Sequence, residues 1–246
     1  MQTLHLRNPH SVLAAIKARP HDVSAVRVGA KSADTEWRKV AQAASEHGIR
    51  VEMQRTRPQS DKRKQDRDGR TGAGEADVKP REDVSIKDLF AEANDHGLWI
   101  AFDHLQDPHN VGAIFRTAAF FGVRGILMTK DQSAPLTSTV YDVAAGGLEA
   151  VPFSIQSNLS RSLQIAKDAG LWVLGTSEHA EKDVSAVPSD RAWLLVVGNE
   201  QKGLRQLTSK NCDDVCRLTP RRDVTSLNVS VATGILIETL TRSEQG

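Results

Sequence analysis

Cysteine is almost missing from this chain: Cys212 and Cys216 are the only two in 246 residues. A single CxxxC pair falls short of the four ligands of a closed zinc site, so the expectation is two plain thiols in a reducing compartment and no metal. Aromatic residues make up 4% of the sequence, too few for a sheet that recognises RNA by stacking bases. Neither sign of charge dominates. Lys and Arg number 32 against 31 Asp and Glu, and no global basic field marks a nucleic-acid binder. Long apolar runs are also missing. The first residues, MQTLHLRNPH, hold no apolar core of signal-peptide length, and no run reaches membrane-spanning length. The expectation is a soluble, cytoplasmic protein without a membrane partner.

What is present is organised around Leu98–Thr117, LWIAFDHLQDPHNVGAIFRT. An apolar run ending at Asp103 predicts a buried strand, and His104–His109 a polar turn. Asn110 is expected to N-cap a helix with Val111, Ile114, Phe115 and Ala118 on one face. Arg116, six residues on, is expected from roughly the same half of that helix. A loop at the carboxyl end of a strand is where open α/β folds place their sites.

Residues 1–57 predict a small α/β unit: a helix from Pro9 with Val12, Leu13 and Ile16 inward, a strand Val23–Val28, a helix ended by Gly48, and a strand Ile49–Met53. It carries no catalytic constellation, and its expected use is to hold a substrate or partner. Residues 55–83 have almost no large apolar side chain, so 58–83 is expected to be a flexible charged linker. Its basic first half, counted with Arg50, Arg55, Arg57, Lys62, Arg63 and Lys64, leaves two readings open: a solvated linker, or RNA-phosphate contacts that order on binding. From Val84 to the end, strands and helices alternate, which predicts a mostly parallel sheet covered on both faces. Physical rules alone make it unknotted.

Three segments place polar residues where a purely structural domain needs none. They are Asn110 with Arg116, the loop Gly198–Leu204 around Glu200, and Thr225–Ser230 opening the last helix. Singly, each has a plain structural reading as a surface cation, a tight turn or an N-cap. In this order, however, DPHNVGAIFRT, GNEQKGL and SLNVSVATG resemble the three signature motifs of the SpoU (TrmH-type) ribose 2′-O-methyltransferases of the SPOUT superfamily, across residues 96–242. The N-terminal unit resembles, more loosely, the ribosomal-L30e-like substrate-binding domain of many members. Layout and the segments AAGGLEAVPF and SLNVSVATG look most like the members that methylate a guanosine of bacterial large-subunit rRNA.

The resemblance implies an α/β catalytic domain over 84–246 with a C-terminal trefoil knot, overriding the unknotted expectation. It implies S-adenosylmethionine as cofactor, held near Thr176, Gly198, Leu218 and Leu227, with Gly175 close to the adenine. It implies a homodimer whose active site lies at or near the interface, and functional roles for Asn110, Arg116, Glu200, Ser226 and Asn228. The implied reaction is transfer of a methyl group to a ribose 2′-oxygen of RNA. The family proposal makes Arg116 the activator, but a guanidinium keeps its proton, so an electrostatic role suits it better. Glu200 would hold Arg116 or Asn110 through a charge-assisted bond. His104 and His109 are candidate bases near neutral pH. Members often carry Pro-Met-x-Gly before the third motif. Here the stretch is Thr219-Pro220-Arg221-Arg222 followed by Asp223, and Arg221 and Arg222 are open to RNA contact or to solvent. Two alternatives also stay open: a tRNA guanosine enzyme, and a non-catalytic RNA-binding or ribosome-assembly factor on the same fold.

Overall fold

The computed structural model describes residues 3–29, 35–54, 74–93, 96–188, 190–224 and 226–242. The elements run β1 (Leu4–Leu6), α1 (Pro9–Ala18), β2 (Val23–Gly29), α2 (Thr35–Glu46), β3 (Arg50–Gln54), β4 (Gly74–Val78) and α3 (Ile86–Leu89). Then come β5 (Leu98–Phe102), α4 (Pro108–Phe120), β6 (Gly125–Thr129), α5 (Ser138–Ala144), α6 (Gly147–Ala150), β7 (Phe153–Gln156) and α7 (Leu159–Asp168). The chain ends with β8 (Trp172–Thr176), β9 (Lys182–Asp183), β10 (Trp193–Val197), α8 (Gln206–Lys210), β11 (Asp214–Arg217) and α9 (Val229–Arg242).

Two compact units result, one of residues 1–81 with 136–150, the other of 82–135 with 151–246. The first holds a four-stranded sheet in the order β1-β4-β2-β3. Asn8 caps α1 by accepting from the His10 amide at 2.9 Å, and Pro9 suits the first helical position, where no N–H is needed. Val12, Ala15 and Ile16 face the core; Leu13, expected inward, is half-buried. Of Trp37, Val40, Ala41 and Ala44, which recur at helical spacing on α2, three are buried and Ala41 is half-buried, and Gly48 takes a φ of 68° just past the helix end.

This unit differs from the sequence reading in two ways. Strand β4 lies inside the stretch expected to be linker. Gly74, Ala76 and Val78 are buried and alternate with half-buried Glu75 and Asp77, and β4 is hydrogen-bonded on both sides, antiparallel to β1 and to β2. Small side chains suffice at a central strand, which is why low apolar content misleads here. The basic residues Arg55, Arg57, Lys62, Arg63 and Lys64 lie outside the described residues. Second, α5 and α6 belong to this unit and not to the one formed by their sequence neighbours. Arg19, at the end of α1, donates Nε and Nη2 to the Glu149 carboxylate, both at 2.8 Å, with side chains only 9% and 4% exposed. Ser11 donates to the Tyr141 carbonyl, and the Tyr141 hydroxyl accepts from the Arg81 amide.

The second unit holds a seven-stranded sheet in the order β7-β6-β5-β10-β8-β11-β9, parallel throughout. LWIAF, GILMT and WLLVV, the strands β5, β6 and β10, are buried at every position, as expected where helices cover both faces. Trp99, Ala101, Leu127, Leu163, Val173, Leu194 and Val196 make one core cluster. Phe102, Phe115 and Phe153 interlock edge to face, with centroids 6.3 and 5.9 Å apart. Cys212 and Cys216 are free thiols. Burial pushes Cys212 up to about 11 and Cys216 up to about 12, so neither is a reactive thiolate near neutral pH. Among the described residues no helix is long and apolar enough to cross a membrane.

Candidate active site

Parallel strands gather their carboxyl ends on one edge, and the site lies there. β5 ends at Phe102, the buried Asp103 amide donates to the Val197 carbonyl at 2.8 Å, and the chain turns through His104 at φ 61°. The helix then starts earlier than the sequence reading places it. Asp107, not Asn110, is the N-cap: its carboxylate accepts from the His109 amide at 2.8 Å. Pro108 at the first helical position decides this, since its ring presets φ and it has no amide to leave unpaired. Asn110 therefore sits in the first turn, 5% exposed.

Buried amides need partners, and those of Asn110 come from the other two motifs. Its Nδ2 donates to Glu200 Oε1 at 3.3 Å, and its Oδ1 accepts from Asn228 Nδ2 at 3.1 Å. Glu200 Oε1 also accepts the Asp107 amide at 3.1 Å. Asn228 uses its own oxygen to accept from the Ser230 amide at 2.9 Å and hydroxyl at 2.6 Å, and its carbonyl accepts the Ala232 amide. It thus caps α9, which begins three residues after the expected Ser226. Three segments separated by up to 118 residues meet in one hydrogen-bonded row, Glu200–Asn110–Asn228.

Arg116 and Ser226 are not in this row. Six helical residues turn a side chain about 600°, which leaves it about 120° around the axis from Asn110, not in the same half. Asn110 is buried accordingly, while Arg116 is exposed. Glu200 holds Asn110 and not Arg116. Ser226 is exposed, and Thr225 lies outside the described residues. His109 is exposed and His104 half-buried.

Three of the four candidate cofactor residues, Thr176, Gly198 and Leu218, come together at the ends of adjoining strands. Register pairs Val196 with Gly175, and Cys216 with Thr176, so Thr176, Gly198 and Leu218 stand at neighbouring ends of β8, β10 and β11. Thr176 Oγ1 donates to the Val196 carbonyl at 3.1 Å. Asn199 and Gly203 exchange amide bonds of 3.0 and 2.9 Å across the loop. That closure leaves Gly198 no room for a side chain: a Cβ would stand 2.3 Å from the Gly203 carbonyl carbon. Leu227 is 52% exposed. Backbone-lined strand ends suit a flat adenine with a polar tail.

Sequence reasoning missed Asp183, which anchors the loop that departs from the family pattern. Its Oδ2 accepts the Thr219 amide at 3.1 Å and hydroxyl at 2.5 Å, and its Oδ1 accepts the Ser185 amide and hydroxyl. The Thr219 and Ser185 hydroxyls hold its carboxyl down at about 2. A carboxyl lowered in the folded state stabilises above its unfolded range and loses that contribution as pH falls from about 4 toward 2. Asp183→Asn is therefore expected to flatten the acid limb of the stability profile between those values. It should also speed amide exchange at 219–223 about tenfold, as for one lost charge-assisted contact. Urea midpoints against pH, with exchange mass spectrometry, check both.

The SpoU rRNA methylase family model matches residues 97–238, and the chain belongs to that family. The 23S rRNA (guanosine-2′-O-)-methyltransferase RlmB of Pseudomonas aeruginosa is 41% identical over 152 residues, 62% of this chain and 61% of that protein. That alignment therefore spans less than two thirds of the relative's own length. RlmB of Pseudomonas syringae pv. tomato is 32% identical over 233 residues, 93% of this chain and 91% of that protein. The fold is shared with the SpoU methyltransferase AviRb from Streptomyces viridochromogenes, solved in complex with AdoMet, at TM-score 0.78 and 20% identity over 99% of this chain and 91% of that one.

Proposed function

We propose that the protein methylates a ribose 2′-hydroxyl of RNA, on a guanosine of 23S rRNA, with S-adenosylmethionine as donor. The observation that carries this reading is the row Glu200–Asn110–Asn228, in which polar residues of all three family motifs fix one another beside the strand ends of Thr176, Gly198 and Leu218. The RlmB relatives supply the rRNA guanosine. The knotted path of the C-terminal strands and an L30e-like role of the first unit in holding RNA belong to the same reading, as does work in the cytoplasm, where ribosomes assemble.

The cofactor, held by Thr176, Gly198, Leu218 and Leu227, supplies a methyl group on a sulfonium. Bound there, it would give that methyl to the 2′-oxygen and leave as the neutral thioether S-adenosylhomocysteine, with the hydroxyl proton passing to a base or water. The chain's own contribution is positioning and charge. Asn110, with both ends of its amide engaged, gives the ribose a fixed neighbour, and the Glu200 carboxylate holds it there. Arg116 stabilises the developing alkoxide and the adjacent phosphate. Ser226, at the mouth of the third motif, contacts the bound substrate or cofactor.

A homodimer completes the site in this reading. Arg116 and Phe120 are i and i+4 on α4 and share a face; Phe120 is 82% exposed, and Val231 and Ile235 of α9 are exposed at 51% and 42%. A second copy that covers Phe120 also covers Arg116. Phe120→Asp is expected to give a folded monomer with at least tenfold less transfer, read by light scattering and a methylation assay. Isothermal titration with S-adenosylmethionine and S-adenosylhomocysteine tests the reading as a whole. Saturable binding of both is expected; no binding of either, with or without rRNA, would favour the non-catalytic factor.

A further inference from the structure

The mechanism leaves unused a cavity of about 350 Å³ lined by His104, Gln106, Gln132, Lys202 and Arg205 among others. It opens at the ends of β6, β5 and β10, with residues of the Gly198–Leu204 loop in its wall, whereas the candidate cofactor residues Thr176, Gly198 and Leu218 stand at the ends of β8, β10 and β11. Of the three non-glycine residues with left-handed backbone among those described, two, His104 and Gln132, line this cavity. Such conformations persist where the surroundings impose them, often at binding sites.

Asp103 decides what the cavity presents. Its carboxylate is fully buried and accepts from Arg205 twice, from the amide at 3.0 Å and from Nε at 2.7 Å. A carboxylate removed from water needs such a partner. The consequence falls on Arg205: with Nε engaged, the guanidinium plane is set. Its side chain stays 46% exposed, and among the described residues the η nitrogens have no hydrogen-bond partner. A preset pair of η donors matches two oxygens of a phosphate. Lys202 adds a second cation on the same wall. Arg205, Lys202 and Asp103 together carry one positive charge, and no Phe, Tyr or Trp is among the lining residues, His104 being the single aromatic ring there.

We propose that this cavity is a phosphodiester site, in which the Arg205 η nitrogens and the Lys202 ammonium take the non-bridging oxygens of a phosphate on the RNA strand carrying the target ribose. Asp103 is the positioning residue that orients Arg205. The assignment rests on RNA being the substrate. The site would set which ribose reaches Asn110, because phosphate contacts fix register.

The test compares the full-length protein with Lys202→Ala and with the double variant Asp103→Asn/Arg205→Gln, which leaves no buried charge unpaired. Binding of transcribed 23S rRNA fragments is measured across salt concentrations, with S-adenosylmethionine titration and circular dichroism as controls for cofactor pocket and fold. For each variant we expect RNA affinity to fall about tenfold and the slope of log K against log salt to shrink by about one, with cofactor affinity unchanged. An unchanged slope and affinity in both folded variants would overturn the assignment. So would a loss confined to guanosine-containing targets at an unchanged slope, which would indicate a base contact. Failure of the unmutated protein to bind any RNA would overturn the substrate reading, and this site with it.

Discussion

Arg116→Ala is expected to lose methyl transfer by about 10²- to 10³-fold in kcat, the scale of removing one preorganised donor from a developing oxyanion. The fold and cofactor affinity should hold, because Arg116 is exposed and forms no hydrogen bond or ion pair among the described residues. Removing it leaves neither a cavity nor an unpaired buried group. Arg116→Lys keeps the charge but loses the planar fork, and an intermediate rate is expected. Single-turnover assays at saturating RNA, with calorimetric cofactor titration alongside, separate the two properties. Full activity of the alanine variant on its correct RNA would remove Arg116 from the mechanism.

Glu149→Ala is expected to be the most destabilising of the single changes considered. The carboxylate, 4% exposed, is the bidentate partner of Arg19, itself 9% exposed. Its loss leaves a buried guanidinium with, among the described residues, only Asp22, at 3.1 Å, and the Lys79 carbonyl as hydrogen-bond partners. Breaking a buried pair from one side costs about 3–5 kcal/mol, whereas replacing both members by apolar residues of similar volume is often neutral or better. Arg19→Met/Glu149→Leu should therefore recover most of the loss in urea unfolding. The contrast also tests the architecture. Glu149 lies within the family-matched residues yet belongs to the unit formed by residues 1–81 and 136–150, so the transition of that unit should shift first.

The strands of the second unit were legible because each is an apolar run bounded by polar turns, and LWIAF, GILMT and WLLVV read plainly in that way. The three motifs were legible as segments, and their convergence followed from resemblance. What local pattern could not give was the set of partners. Asn110 looks like an N-cap until the neighbouring Asp107-Pro108 is weighed, and only then does it become the buried centre of the row. Gly74–Val78 is hidden as a strand because its inward residues are Gly, Ala and Val amid charges. The placement of α5 and α6 depends on Arg19 and Glu149, 130 residues apart. Asp103 read as a strand end, and its clasp on Arg205 lies 102 residues away. Asp183 gave no signal at all, being one carboxylate among many until Thr219 meets it.

The most direct test of the central claim is to map the product. The purified protein is incubated with labelled S-adenosylmethionine and unmodified 23S rRNA, and methylated positions are located by their protection from alkaline hydrolysis. Stoichiometric protection is expected at one guanosine, lost in Arg116→Ala and in Asn110→Ala. Methyl groups on a base, or no transfer by a folded protein that binds the cofactor, would contradict it.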